Sequence, residues 1–513
     1  MESTGATPVR EGRRTAQTGR GRTTYRRLRG PAWLDGPMTS CHLVVGAAGL
    51  LLAIGLVMVF SASAIEAALA DEPAWVPGVK QLLLAAVGLV LCYAAVRTPV
   101  GFVRRFAPLG LALAAVLLVL VLVPGIGKQL NGSRQWIDLR VIDFQPSELA
   151  KLVYALWGAH ILATRDRYLT LRGLLVPLLP VFGLLSFLLY LEPDFGAIMS
   201  LALVLVGLLW GAGLPLRFFA WGLGAGVIGI VVMIQAAPYR MARITAFLDP
   251  FADPSDGGFQ AIRGFYALAT GGLWGVGLGN SAMKWNLLPH AESDYIFAIL
   301  GEELGFLGCL VVVTLYGVLA YAGFRIAKNS ADRFVQLASV AITVWLIGQA
   351  AMNMGYVVGV LPVTGVQLPL ISAGGTSLVL TLAIVGLLIR FARCEPEAIE
   401  HQRGRDRGRL ARLLLPVPAQ AVDPVRPPRR RRPPAPRAAD VPAERPARRP
   451  AVSGGRTVAR VAPLRPGAVP PRERAPGPRE RRATEGRPRA ADARRQPPPR
   501  ARSTAPESPR RPR

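Results

Sequence analysis

Between Cys41 and Arg390 most of the chain consists of apolar runs long enough to cross a bilayer, and this leaves few folds open. A helical span needs roughly 17–25 apolar residues, and in hydrocarbon every backbone polar group must be satisfied within the protein. By length, about ten spans are expected, at 41–63, 81–97, 106–124, 147–164, 173–191, 195–213, 218–236, 295–325, 335–358 and 372–392. The expected fold class is an all-α polytopic membrane protein with about ten transmembrane helices. A large extracytoplasmic loop, 237–294, separates helices 7 and 8.

The 513 residues are 51% hydrophobic, with a mean hydropathy of +0.35, yet carry a formal net charge of +28. One soluble domain does not combine these values; a membrane core, 41–392, joined to basic tails does. Residues 1–40 are rich in Arg, Gly and Thr, and 393–513 form a Pro-Arg-Ala polymer with almost no large apolar side chains. Neither can bury a core, so disorder is expected in both. The amino end does not read as a cleaved signal peptide, because its polar arm and first apolar run are both too long. Cys41, Cys92, Cys309 and Cys394 show no paired spacing, which argues against a disulfide framework or a metal site.

Basic residues follow alternate spans: Arg97, Arg104 and Arg105; Arg165, Arg167 and Arg172; Arg217; Arg325, Lys328 and Arg333; Arg390 and Arg393. The opposite loops carry Glu66, Asp71, Glu72, Glu192 and Asp194. By the positive-inside rule both termini are cytoplasmic.

Two outer loops stand out. Pro124–Gln145 holds Lys128, Asn131, Arg134, Trp136, Asp138 and Asp143. The second, 237–294, is too long for a plain connection and too apolar to float in water; an amphipathic helix near 258–270, at the outer leaflet, is expected. Gly271–Gly279 is glycine-rich, but no strand precedes it, so a nucleotide loop is rejected in favour of a closely packed, re-entrant turn.

Charge within the apolar core marks the candidate site. Asp294 lies at the lip of the eighth span, and Glu302 and Glu303 fall inside it. Carboxylates in hydrocarbon are costly enough to be functional hypotheses by default. Glu148 and Lys151, at i and i+3, share a helix face; they form either a helix-start ion pair with Ser147 as N-cap, or a Lys held ready for an anion. Asp194 is an N-cap after a proline turn or a site residue. Arg134, like Arg240 and Arg243, is a headgroup anchor or a phosphate clamp. His290 reads as polar lining, and the four histidines give no metal-ligand spacing. The Pro/Gly-broken segment Leu361–Ser377, including Ser372, is expected to line a cavity, because non-helical backbone at membrane depth is tolerated there or within protein.

These pieces resemble the SEDS family (shape, elongation, division and sporulation), polytopic glycosyltransferases that polymerise peptidoglycan. The resemblance rests on Trp136-Ile-Asp, Gln145-Pro-Ser-Glu-Leu-Ala-Lys151, Glu192-Pro-Asp-Phe-Gly196 and Gly271–Gly279. It continues through Leu288-Pro to Gly-Glu-Glu-Leu-Gly305, Asn353, Leu361-Pro-Val-Thr-Gly and Ser372–Ser377, and covers roughly 41–392. The last segments and the basic tail look more like the division member than the elongation member. Two departures are visible: Pro289-His-Ala-Glu292 stands where the family often reads Pro-Glu-Ala-His, and Ala373 where it usually has Tyr.

The resemblance implies transfer of an undecaprenyl-pyrophosphate-linked glycan to a sugar hydroxyl of lipid II. Asp294 matches the family's essential carboxylate, a role that suits a general base, and a single base suits inversion at the anomeric carbon. Arg134, Lys151, Arg243 and Lys284 are the candidates to meet the departing pyrophosphate, with a divalent cation (Mg or Mn) as a further candidate. Glu302 and Glu303 are expected to shape the field or pair with these cations. Implied partners are a class B penicillin-binding protein and other division proteins, with the tubulin-like ring protein or anionic lipid meeting the tail. No nucleic acid is expected, since no folded module or aromatic interleaving accompanies the charge. A lipid II flippase, an elongation-type polymerase and a recruiting scaffold are the rival functions.

Overall fold

The computed structural model describes residues 36–418, apart from 70, 131–132, 139–142, 166–170, 223, 225, 227–246, 253, 255–257, 286, 290 and 405–414. The expected seventh span, Arg240, Arg243 and His290 therefore lie largely or wholly outside the described residues.

Before the long loop stand α1 (Thr39–Leu69), α2 (Val76–Arg97), α3 (Val100–Leu122), α4 (Pro146–Thr164), α5 (Leu171–Leu191) and α6 (Phe195–Gly211), and residues 216–222 are helical as well. Within the loop stands α7 (Phe259–Gly271), where an amphipathic helix is expected. Then come α8 (Ile296–Asn329), α9 (Arg333–Val357), α10 (Gly375–Arg393) and α11 (Pro396–Gly404). Among the described residues seven of these, α1, α2, α3, α5, α8, α9 and α10, are long and apolar enough to cross a membrane. At 17 residues α6 is shorter. The chain is thus a helical, polytopic membrane protein.

Pro77 in the first turn of α2 shows how local chemistry sets an element's start. Proline lacks the N–H that a first turn leaves unpaired anyway, so α2 opens at Val76, five residues before the apolar run itself. That shift brings Lys80 into the helix.

The core is a stack of long helices. α10 packs along α2, α9 along α6, and α8 against both α1 and α9, while α4 lies beside α3 and α9. Exposed large apolar residues concentrate on α2, α3 and α5, the pattern of helices that meet lipid on one side. α9 is the reverse: Trp345, Leu346 and Tyr356 are almost fully buried.

The all-α expectation needs one correction. The outer loop after α3 folds as a small antiparallel sheet of β1 (Gly127–Leu130), β2 (Ser133–Asp138) and β3 (Asp143–Phe144), in that order. Gly127 faces Ile137, and Ile137 faces Phe144. A salt bridge from Lys128 Nζ to Asp143 at 3.1 Å spans the outer strands. Strands this short carry little periodic signal, so length criteria for helices pass over them.

A second correction concerns the tail boundary. Residues 396–404, assigned by composition to a disordered tail, form α11, whose Ala398, Ile399 and Gln402 are buried. Arg393 donates to Gln402 at 3.0 Å, and Asn329 donates to Glu395 at 3.2 Å.

Candidate functional site

A cavity of about 790 Å³ opens among the ends of several helices. Each wall comes from a different element: α1, the first turns of α2, the small sheet, the start of α4, the start of α6, the segment before α8, and the broken segment before α10. Asp294, Glu148, Lys151 and Asp194 all line it. Residues separated by up to 146 positions in the sequence thus share one chamber.

Asp294 precedes the first helical residue of α8 by two positions. Its backbone carbonyl accepts from Asn353 Nδ2 at 2.9 Å and Tyr356 Oη at 2.8 Å, both on α9. One residue earlier, the Ser293 carbonyl accepts from Ser372 Oγ at 2.6 Å, and the Glu292 carbonyl accepts from the Ala373 N–H at 2.9 Å. The carboxylate is thereby carried on a stretch of backbone clamped from two sides. Ser372 acts through that clamp and does not line the cavity. Gly365, at φ +68°, lies against the Asp294 carboxylate, with a Cβ there 3.7 Å from Oδ2. Positive φ favours glycine, and the turn it permits brings Gly365, Val366 and Gln367 into the wall.

Lys151 Nζ donates to Glu148 at 2.7 Å and lies 5.3 Å from the Trp345 ring centroid. The lysine side chain is 2% exposed and the glutamate 12%. The pair is an ion pair at the start of α4, and both residues line the cavity. Ser147 is not the N-cap. Gln145 takes that position without a side-chain bond, because Pro146 supplies the pre-set first turn, and the Ser147 hydroxyl instead donates to Asp194 at 3.4 Å.

Asp194 does two jobs. It caps α6, accepting from the Ala197 N–H at 2.9 Å, and its other oxygen accepts from Gln145 and Ser147 while lining the cavity. Burial raises the pKa of its carboxyl, partly opposed by the Ala197 bond and the Lys151 charge. Next to it, Glu192 is fully buried with neither carboxylate oxygen hydrogen-bonded among the described residues. Burial, reinforced by Asp194, pushes its pKa up to about 9.

Glu302, Glu303 and Lys284 form a separate cluster that is not part of the cavity lining. Lys284 Nζ bridges to Glu303 at 2.6 Å with both side chains almost inaccessible, and Ser61 of α1 donates to the same carboxylate. Glu302 accepts from the Ser281 hydroxyl and the Ala282 N–H. The expectation that these acids pair with cations therefore describes Glu303. Lys284, a candidate for the pyrophosphate, spends its charge on Glu303 and lies outside the lining. Arg134 also lies outside it: Ser133, Gln135 and Trp136 of β2 contribute and Arg134 does not.

The glycine-rich run beyond α7 is the packed turn expected of it. Gly275, at φ +82°, meets Gly305, at φ +68°, where α8 breaks. Val276 N–H bonds the Glu302 carbonyl at 2.9 Å and Gly277 N–H the Glu303 carbonyl at 3.0 Å. A Cβ at Gly275 would strike the Glu303 carbonyl, and one at Gly271 the Gly301 carbonyl.

Lining residues that sequence inspection passes over include Lys80 and Gln81 of α2, whereas Gln367 belongs to the broken segment expected to line a cavity. For α2 a usable signal exists: Pro77, Gln81 and Leu84 recur at i, i+4 and i+7, one helix face. The span expectation begins at 81 and leaves Lys80 to the loop.

Comparison with known proteins agrees with this arrangement. The FtsW/RodA/SpoVE family model, described as cell cycle protein, matches residues 41–396. A Mycobacterium tuberculosis relative named "Probable peptidoglycan glycosyltransferase FtsW" is 48% identical over 423 residues, 81% of this chain and 80% of its own. Stage V sporulation protein E of Bacillus subtilis is 37% identical over 345 residues, 67% of this chain and 94% of its own. A solved chain described under "Structural coordination of polymerization and crosslinking by a peptidoglycan synthase complex" superposes with a TM-score of 0.58 at 28% identity. It covers 69% of this chain and 97% of that one. The rod shape determining protein RodA of Thermus thermophilus gives a TM-score of 0.53 at 26% identity, covering 71% and 99%. With an apolar helical core, a chamber holding Asp294 beside the Glu148–Lys151 pair, and a family match spanning that core, the chain belongs to the FtsW/RodA/SpoVE family.

Proposed function

We propose that the chain is a peptidoglycan glycosyltransferase of septal cell-wall synthesis, polymerising lipid II, with Asp294 as the general base. One observation carries this: Asp294 lines the same cavity as the Glu148–Lys151 pair and Asp194. The division role rests on the 48% identity to relatives named FtsW.

In this reading the attacking sugar hydroxyl of one lipid II gives its proton to the Asp294 carboxylate. The oxygen attacks the anomeric carbon of the lipid-linked glycan, and the polyprenyl diphosphate leaves. Positioning is a large part of what such a site supplies, which fits a base whose backbone is clamped by Asn353, Tyr356 and Ser372. Lys151, hydrogen-bonded to Glu148 at 2.7 Å, presents its ammonium group to the chamber. Asp194 and Glu148 are engaged with Ala197 and Lys151, so neither is assigned the base's role.

Ten spans rest on segment length, cytoplasmic termini and an outward-opening cavity on the loop charges, and placement at the bacterial plasma membrane on the family match. The neighbouring structure's peptidoglycan synthase complex supports a class B penicillin-binding protein as partner. For the divalent cation, no group of three or more His, Cys, Asp or Glu among the described residues could hold a metal ion, and no step is routed through one.

The test is polymerisation of labelled lipid II by purified protein with its transpeptidase partner. Asp294→Asn keeps the shape and removes the base, and strand formation should fall about a hundredfold or more, the scale of general-base catalysis. Polymer made at the wild-type rate by this variant would sink the assignment. Lipid II flipping that survived it without polymer from wild type would favour a transporter.

A further inference from the structure

The charges around the cavity are unbalanced. Among the described residues its lining holds six carboxylates, Glu72, Asp143, Glu148, Asp194, Glu292 and Asp294, but two ammonium groups, Lys80 and Lys151. Lys151 is already matched to Glu148 at 2.7 Å, and Asp143 to Lys128 at 3.1 Å from outside the lining, which leaves Glu72, Asp194, Glu292 and Asp294 against Lys80. A diphosphate entering such a chamber meets net negative charge unless a cation receives it, and like-charge approach in a partly desolvated site is costly. Lys80 is the lining cation that no ion pair holds among the described residues.

Its placement on α2 adds a second, geometric argument. Pro77, Lys80, Gln81 and Leu84 form one stripe that faces the cavity. Further along the same helix, Val87, Val90 and Leu91 are 47%, 67% and 41% exposed. α2 packs on α10 and α1 and makes no extended contact with α3, so that flank stays open. A cation at the chamber's edge followed along one helix by outward apolar surface matches a ligand with a charged diphosphate head and a hydrocarbon tail.

We infer that Lys80 is the residue that receives the diphosphate of a polyprenyl-linked substrate at the cavity mouth, with the hydrocarbon lying along the exposed face of α2. The inference rests on the polymerase reading above and names the site's second cation. The diphosphate belongs either to the glycan-bearing donor or to the lipid II acceptor. The alternative is a lysine that merely extends its ammonium to lipid headgroups, and such an anchor would not alter substrate kinetics.

Steady-state polymerisation by the full chain with its partner, using lipid II alone and lipid II with a preformed lipid-linked glycan primer, separates these. Lys80→Ala should raise a KM about tenfold or more, the scale of one lost charge-assisted bond, with kcat changed far less. Inhibition by free polyprenyl diphosphate should weaken in parallel, and Lys80→Arg should recover both. A rise confined to the primer assigns Lys80 to the donor; a rise confined to lipid II assigns it to the acceptor. Unchanged KM and inhibition in Lys80→Ala would overturn the inference, as would an arginine variant no better than alanine. Wild-type polymer formation and its loss in Asp294→Asn, run alongside, show whether a failure belongs to Lys80 or to the polymerase reading.

Discussion

Glu192 sits in an environment far removed from water. It is a buried carboxyl without a hydrogen bond among the described residues, and its pKa is pushed up to about 9. A carboxyl whose folded pKa exceeds its unfolded one, ordinarily about 4.5, favours the folded state at low pH. That contribution is complete below pH 4.5 and is lost as pH rises toward 9, at up to about 1.4 kcal/mol per unit. Thermal unfolding in detergent should therefore show Glu192→Gln with a flatter stability profile between pH 5 and 8.5, and a higher melting temperature than wild type at pH 8. The Glu148–Lys151 pair behaves differently. Lys151→Met strands a nearly buried carboxylate, so it should cost about 3–5 kcal/mol, whereas adding Glu148→Gln should recover part of the stability but no activity. A double-mutant cycle on unfolding and on strand synthesis checks both halves. Both residues were legible in the sequence as charges sharing a helix face; their place beside Asp194 was not, because that contact joins two helices.

At the scale of elements, the decisive object is the interlock of the glycine-rich turn with the break in α8. Of its 34 residues, more than the roughly 20 a span needs, the first nine precede Gly305 and carry Glu302 and Glu303. Backbone bonds from Val276 and Gly277 and the Lys284–Glu303 pair tie the turn to this short half. Gly275→Ala combines a positive φ with a collision against the Glu303 carbonyl, and strain of this kind costs on the order of 1–3 kcal/mol. Because Asp294 stands two residues before the same half-helix, the variant should lose kcat together with melting temperature, while Gly317→Ala, where a Cβ meets nothing within 4 Å, should leave both unchanged. A Gly275→Ala protein as active and stable as wild type would remove the interlock from the account of the site.

For the molecule as a whole, charge and apolar surface are partitioned along the chain. The segment beyond residue 418 is dense in arginine and poor in large apolar residues. Deleting it should leave polymerisation of lipid II in detergent unchanged and weaken binding to anionic vesicles, by about 1 kcal/mol for each basic residue near the surface. Vesicle flotation at low and high salt measures this, and binding insensitive to both salt and deletion would contradict it. Hydropathy was enough to recover the helical membrane class and most helix limits among the described residues, since a span's length is set by the bilayer and acts residue by residue. Asp294, Glu148, Lys151 and Asp194 were legible as polar intrusions in apolar sequence, each costly alone and so worth explaining. What required the tertiary structure was their convergence, the removal of Lys284 and Arg134 from the lining, the appearance of Lys80 in it, and the small sheet beside it. Those depend on which faces long helices turn toward one another, and on short-range backbone pairing. No local periodicity encodes either, because both are settled by packing between segments distant along the chain.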